Sequence, residues 1–164
     1  MSETYVECLV KKESTVMGKL ARILLVMLTV TFGILTMFVP LALIVALICG
    51  FCAYLVYLHT DLEYEYLYLD KELVVDKIMA KTKRKRVDSF EIERLEILAP
   101  LKSYHLDNYR NRTGKESDYS IGKEEQPDKR YVMYFNGSRK IILSPSEELV
   151  KAIRNVAPRK VFMD

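Results

Sequence analysis

From Ile23 to Leu58 this 164-residue chain contains no Asp, Glu, Lys, Arg, Asn, Gln or His. Charged residues make up 29% of the whole, so the average conceals two different materials. One is a 36-residue apolar run; the other is a 106-residue water-compatible stretch from His59 onward, long enough for one modest core. Cysteine is scarce as well. Cys8, Cys49 and Cys52 are an odd number with none in the polar stretch, which excludes a disulfide framework and fits a reducing cytoplasm. The only histidines, His59 and His105, lack acidic or thiol neighbours at a metal spacing. A glycine-rich phosphate loop and a nucleophile elbow are also missing. The expectation is no metal, no cofactor and no enzyme activity. The apolar run is too long for a secretory leader core, and no small-residue cleavage pattern follows it.

Net charge is +3, from 25 basic and 22 acidic side chains. After His59 the count is 21 against 19, too even for a nucleic-acid partner.

As one straight helix the apolar run would be about 54 Å long, against a hydrocarbon core of about 30 Å. Two spans fit better, and Pro40 marks the break. The spacing predicts helices over about 20–38 and 41–58, a transmembrane hairpin spanning 20–58. Each segment holds ten or eleven Leu, Ile, Val or Phe residues, at about −0.3 to −0.6 kcal/mol each on insertion. Lys11, Lys12, Lys19 and Arg22 precede the hairpin and the basic polar stretch follows it, so both termini are expected on the cytoplasmic face of the cell (inner) membrane. Arg22, Tyr54 and Tyr57 are candidate interface anchors. A buried core hairpin and a re-entrant hairpin that never reaches the far side are the alternatives; the tip 37–41 has no polar side chain.

Residues 1–19 read as a cytoplasmic N-terminal segment and 59–164 as a cytoplasmic domain. Tyr64, Tyr66 and Tyr68 alternate with Glu65, Leu67 and Leu69 at the period of a strand. Asp70-Lys71-Glu72 reads as a tight connection, and strands are expected over 73–79, 84–90 and 92–98. Residues 102–129 read as a long polar loop. A hairpin turns at Asn136-Gly137 between strands 130–135 and 140–143. Ser144-Pro145-Ser146-Glu147 reads as a capping box with Ser144 at the cap, opening an amphipathic helix with Leu149, Val150, Ile153 and Val156 on one face. An α+β or small-barrel domain capped by its last helix follows.

The stretch 66–78 (YLYLDKELVVDKI), followed by Lys83-Arg84-Lys85-Arg86-Val87, Ile92-Glu93-Arg94-Leu95-Glu96 and the tail from Ser144-Pro145 to Val161, resembles the bacterial pleckstrin-homology-like (PH-like) membrane proteins. The resemblance implies a helical hairpin followed by a PH-like antiparallel sheet with a terminal helix, and no established activity.

The clearest local feature is the run 81–86, in which Lys81, Lys83, Arg84, Lys85 and Arg86 are candidate contacts for anionic lipid or an acidic partner. Each cation near an anionic surface gains about 1 kcal/mol. Strand geometry lets at most half face one way, and lysines also guard a sheet edge. Cys49 and Cys52 have C-x-x-C spacing, which reads either as small apolar residues of a lipid-facing helix or as a thiol redox pair. The expectation is a non-enzymatic membrane-anchored module, in contact with the bilayer and with an unidentified protein or anionic lipid. The alternatives are an accessory subunit of a larger membrane complex and a membrane thiol protein.

Overall fold

The computed structural model describes residues 5–122 and 128–163, and the chain divides into two compact units. The smaller is the helical hairpin with residues 79–83; the larger is the β domain.

In the hairpin unit, α1 is Val16–Leu35 and α2 is Ala42–Thr60. Both are long and apolar enough to cross a membrane. α1 begins and α2 ends a few residues beyond the predicted bounds because helical backbone bonding continues there: Lys19 N–H donates to the Thr15 carbonyl and Asp61 N–H to the Tyr57 carbonyl, each at 3.1 Å. The helices meet through small side chains. Ala42 and Ala46 are buried, a Cβ on Gly18 would lie 3.2 Å from Thr60 Oγ1, and one on Gly50 would lie 3.5 Å from the Thr29 methyl. Thr29 and Thr31 hydroxyls return to the carbonyls four residues back, at 2.8 and 2.9 Å, so neither needs water.

The β domain holds two four-stranded sheets. The first has the order β1-β2-β3-β4, with β1 Val6–Lys11, β2 Leu62–Leu69, β3 Glu72–Met79 and β4 Lys83–Glu91. Here the N-terminal segment departs from expectation. Its residues 6–11 form an edge strand antiparallel to β2, from Val6↔Tyr68 to Lys11↔Glu63. Val6, Cys8 and Val10 supply an apolar face too short to stand out in sequence. The hairpin is therefore an insertion between two paired strands.

The second sheet has the order β5-β7-β8-β6, with β5 Leu95–Pro100, β6 Lys115–Asp118, β7 Tyr131–Phe135 and β8 Arg139–Leu143. The predicted loop 102–129 is thus partly structured; its residues 123–127 lie outside the described residues. A 3-10 segment, Tyr104–Tyr109, buries Leu106, and β6 runs parallel to β8. Lys115-Glu116-Ser117-Asp118 has no apolar alternation because this edge strand is held by backbone pairing. Residues 92–94 form a 3-10 turn rather than the start of a strand.

The main core joins both sheets to α3, Glu147–Val156, through Tyr66, Leu73, Phe90, Met133, Ile141 and Leu149, among others. The other face of β7 carries Val132 and Tyr134 into a second cluster with Leu106, which is why β7 reads as a continuous apolar run. The α3 cap is Ser146, whose hydroxyl accepts from Leu149 N–H at 3.3 Å, and not Ser144. The Ser144 hydroxyl instead accepts from Ile121 N–H at 3.2 Å. Val156 lies half open at the helix end, and Ala152 takes the buried place. The tail covers the β5 edge: Leu98 N–H donates to the Lys160 carbonyl at 2.8 Å, and Phe162 N–H returns to Leu98 at 2.9 Å.

The three tight turns at Asp70-Lys71, Ala80-Lys81 and Asn136-Gly137 all have positive φ at both central residues, the geometry that matches strand twist. Only the last has the residues that favour it.

Tyr66 is fully buried, donates to the Tyr119 carbonyl at 2.5 Å and accepts from Ser144 N–H at 3.2 Å. Burial pushes its hydroxyl well above the ordinary tyrosine value of 10.0. Tyr66→Phe strands both backbone groups and is expected to cost about 1–3 kcal/mol in chemical denaturation of the detergent-solubilised chain. Because the folded state holds this proton longer than the unfolded one, stability is full below pH 10.0 and declines as pH rises above it. The decline is expected to be shallower in the variant.

Candidate functional site

The basic run begins in the turn between β3 and β4. Ala80 and Lys81 hold φ of 47° and 57°, a conformation costly for residues with a Cβ. It is offset by a hydrogen bond from Ala80 N–H to the carbonyl of Asp61, the residue capping α2, at 2.8 Å. The turn is thereby pinned to the end of the helical hairpin. Lys81 and Lys83 belong to the same compact unit as that hairpin.

The five cations do not act alike. Arg84 is ion-paired with Glu65 on β2 and lies 3.3 Å from Asp76 on β3. Arg86 lies 3.7 Å from the same Asp76. Both carboxylates are buried, with side chains 7% and 8% exposed, so the arginines neutralise charge that the sheet would otherwise desolvate unpaired. Lys81, Lys83 and Lys85 are exposed and make no ion pair among the described residues. Of the run, only the lysines keep their charge for an outside partner. Asp76 faces the arginines, and Glu72 accepts from the Ser89 hydroxyl.

Within the hairpin the Arg22 guanidinium stacks 4.4 Å from the Tyr57 ring centroid, and Tyr54 is half exposed one turn deeper. Cys49 and Cys52 are free thiols on α2, each partly buried. The His59 ring bonds the Leu55 carbonyl at 2.9 Å, and the His105 ring stacks on Phe162 at 3.7 Å. Among the described residues no group of three or more His, Cys, Asp or Glu is placed to hold a metal.

Two features escaped the sequence reading. One is a network in which Asp88 on β4 accepts from Arg139 on β8 at 3.2 Å and from the Tyr119 hydroxyl at 3.1 Å. Its partners lie 31 and 51 residues away, so no local signal exists. The other is an open groove of about 320 Å³ lined by Lys71, Ile92, Glu93, Val156, Arg159 and Lys160, among others. The cluster Pro158-Arg159-Lys160 was its only trace in the sequence.

The division of the run into structural arginines and free lysines is testable. Arg84→Ala is expected to lose about 1–3 kcal/mol in denaturant titration, since it leaves buried carboxylates without their partner. Lys83→Ala and Lys85→Ala should stay within about 0.5 kcal/mol of the parent.

No curated protein and no solved structure matches this chain. One family model does, that of the bacterial PH-like domain (DUF6106), over residues 2–163. That span takes in β1, the apolar hairpin, both sheets and α3 together, so the helices are part of the family pattern rather than an appendage, and the chain belongs to this bacterial PH-like family.

Proposed function

We propose that this chain is a non-enzymatic PH-like module anchored in the cell (inner) membrane by the α1–α2 hairpin, with both termini cytoplasmic. Its β domain offers a cytoplasmic surface to anionic lipid headgroups or to an acidic protein partner. The observation that carries this reading is the insertion of the apolar hairpin between two hydrogen-bonded strands. Lys11 and Glu63 are strand partners, so their α-carbons lie about 5 Å apart. The 51 intervening residues must therefore leave and return on the same side. Only Asp61 separates α2 from β2, so the domain's first residues stay close to the bilayer surface. Cationic residues flank the hairpin at that end, as expected for the cytoplasmic side.

Free lysines support the anionic contact. Lys83 and Lys85 alternate along one strand and so share a face, and Lys81 precedes them in the pinned turn. Tethering raises the effective concentration of such weak contacts.

The full-length protein is expected to remain in the membrane pellet after alkaline carbonate extraction. Replacing Lys81, Lys83 and Lys85 together with alanine should weaken retention of anionic phospholipid on the detergent-purified chain. At about 1 kcal/mol per cation the loss is as much as about 100-fold at low salt, and less at high salt. Native mass spectrometry with anionic and zwitterionic lipid reads it out. Unchanged anionic adducts in the triple variant count against lipid contact, and release of the parent protein by carbonate counts against the anchor itself.

A further inference from the structure

The connection between α1 and α2 is apolar throughout. Met37 and Phe38 are 85% and 81% exposed, and Val39 and Leu41 are exposed as well. Turns that face water favour Gly, Pro, Asn, Asp and Ser; the sequence Thr36-Met37-Phe38-Val39-Pro40-Leu41 has only the apolar one of these, Pro40.

Its backbone is also closed on itself. Thr36 N–H donates to the Phe32 carbonyl, Met37 to Ile34, and Phe38 and Val39 both to Leu35, at 2.9–3.2 Å. On the other side Ala42 donates to Val39, Leu43 to Pro40 and Ile44 to Leu41, at 2.9–3.3 Å. Pro40 has no N–H to satisfy. The single polar side chain, Thr36, turns its hydroxyl back to the Gly33 carbonyl at 2.5 Å. Of the tip's donors, only Leu41 N–H lacks a partner among the described residues. Hydrocarbon demands this internal satisfaction, and water does not.

Length points the same way. Phe38 lies sixteen positions after Arg22, and Tyr57 sixteen positions after Leu41. The Arg22–Tyr57 stack sets these two starting points at one level. At about 1.5 Å per residue the tip reaches at most about 24 Å beyond that level. Measured from Tyr54, the reach is about 20 Å. The hydrocarbon core is about 30 Å thick.

We infer that the hairpin is a one-sided anchor whose tip, centred on Met37 and Phe38, is seated among the acyl chains of the far leaflet and presents nothing to the far aqueous side. This inference rests on the membrane-anchor reading and goes further: it names the partner of the tip as lipid chains and confines every other ligand of the protein to the cytoplasmic face.

The chain has no tryptophan, so Phe38→Trp provides a single reporter in the full-length protein, with Tyr57→Trp as the reference for the near boundary. Both are reconstituted in phospholipid vesicles. Flotation after carbonate washing reports membrane insertion separately; a variant that fails to float indicts the anchor reading and not the tip. For Trp at position 38 the expected result is blue-shifted emission, strong quenching by lipids brominated along the acyl chain, and little quenching by acrylamide on either side of the vesicle. Red-shifted emission quenched by external acrylamide would overturn the inference, because the tip would then stand in water. Insensitivity to both quenchers would overturn it too, because the tip would be covered by another copy of the chain. A second variant, Met37→Cys in a background with Cys8, Cys49 and Cys52 replaced by alanine, is expected to resist a membrane-impermeant maleimide in intact cells and to react after denaturation in detergent. Labelling in intact cells at the denatured rate sinks the proposal.

Discussion

Everything in this molecule answers to one constraint: thirty-six consecutive residues without a charged, amide or imidazole side chain are spliced into the connection between two paired strands. The ladder from Val6↔Tyr68 to Lys11↔Glu63 brings the two ends of the run together, so an apolar run must also double back on itself. A helical hairpin satisfies both demands. Its interface uses Gly18, Ala42, Ala46 and Gly50, small residues that let the helices approach closely. The larger Leu, Ile and Met side chains are left facing outward.

The same splice shapes the electrostatics. Strands that continue directly from the hairpin bring Glu65 and Asp76 into a buried sheet face, and their charge requires a counterion there. Arg84 and Arg86 supply it from β4. A planar guanidinium reaches two carboxylates at once, which an ammonium does less well, and this accounts for the alternation of Arg with Lys along the run. The lysines make no ion pair among the described residues. Family membership adds the fold but not the chemistry, since one fold hosts many unrelated functions; the functional reading stands on the distribution of charge and on the hairpin.

The β domain also covers one of its own edges. The β5 edge is covered by the tail at Lys160 and Phe162, and β6 pairs in parallel along β8. Unpaired strand edges invite association with other chains. The groove beside Lys71 and Arg159 lies where the tail leaves α3, so edge protection and groove come from the same few residues.

The sequence by itself determined whatever depends on composition or short periods. The apolar hairpin follows from the absence of charge, the tyrosine strand from its alternation of two, the Asn136-Gly137 turn from its need for positive φ, and the final helix from its apolar stripe. Family resemblance was legible from the strands around residues 66–96. Tertiary structure decided what depends on partners far along the chain. It made a strand of residues 6–11, whose pairing partner lies on the other side of the hairpin. It placed β6 through pairing with a strand more than twenty residues on, moved the α3 cap from Ser144 to Ser146 because Ser144 was needed by Ile121, and assigned two arginines to buried carboxylates while leaving three lysines free. Local patterns record a residue's own preference for oil, water or a backbone angle; they carry no record of which distant group will compete for its hydrogen bond or its charge.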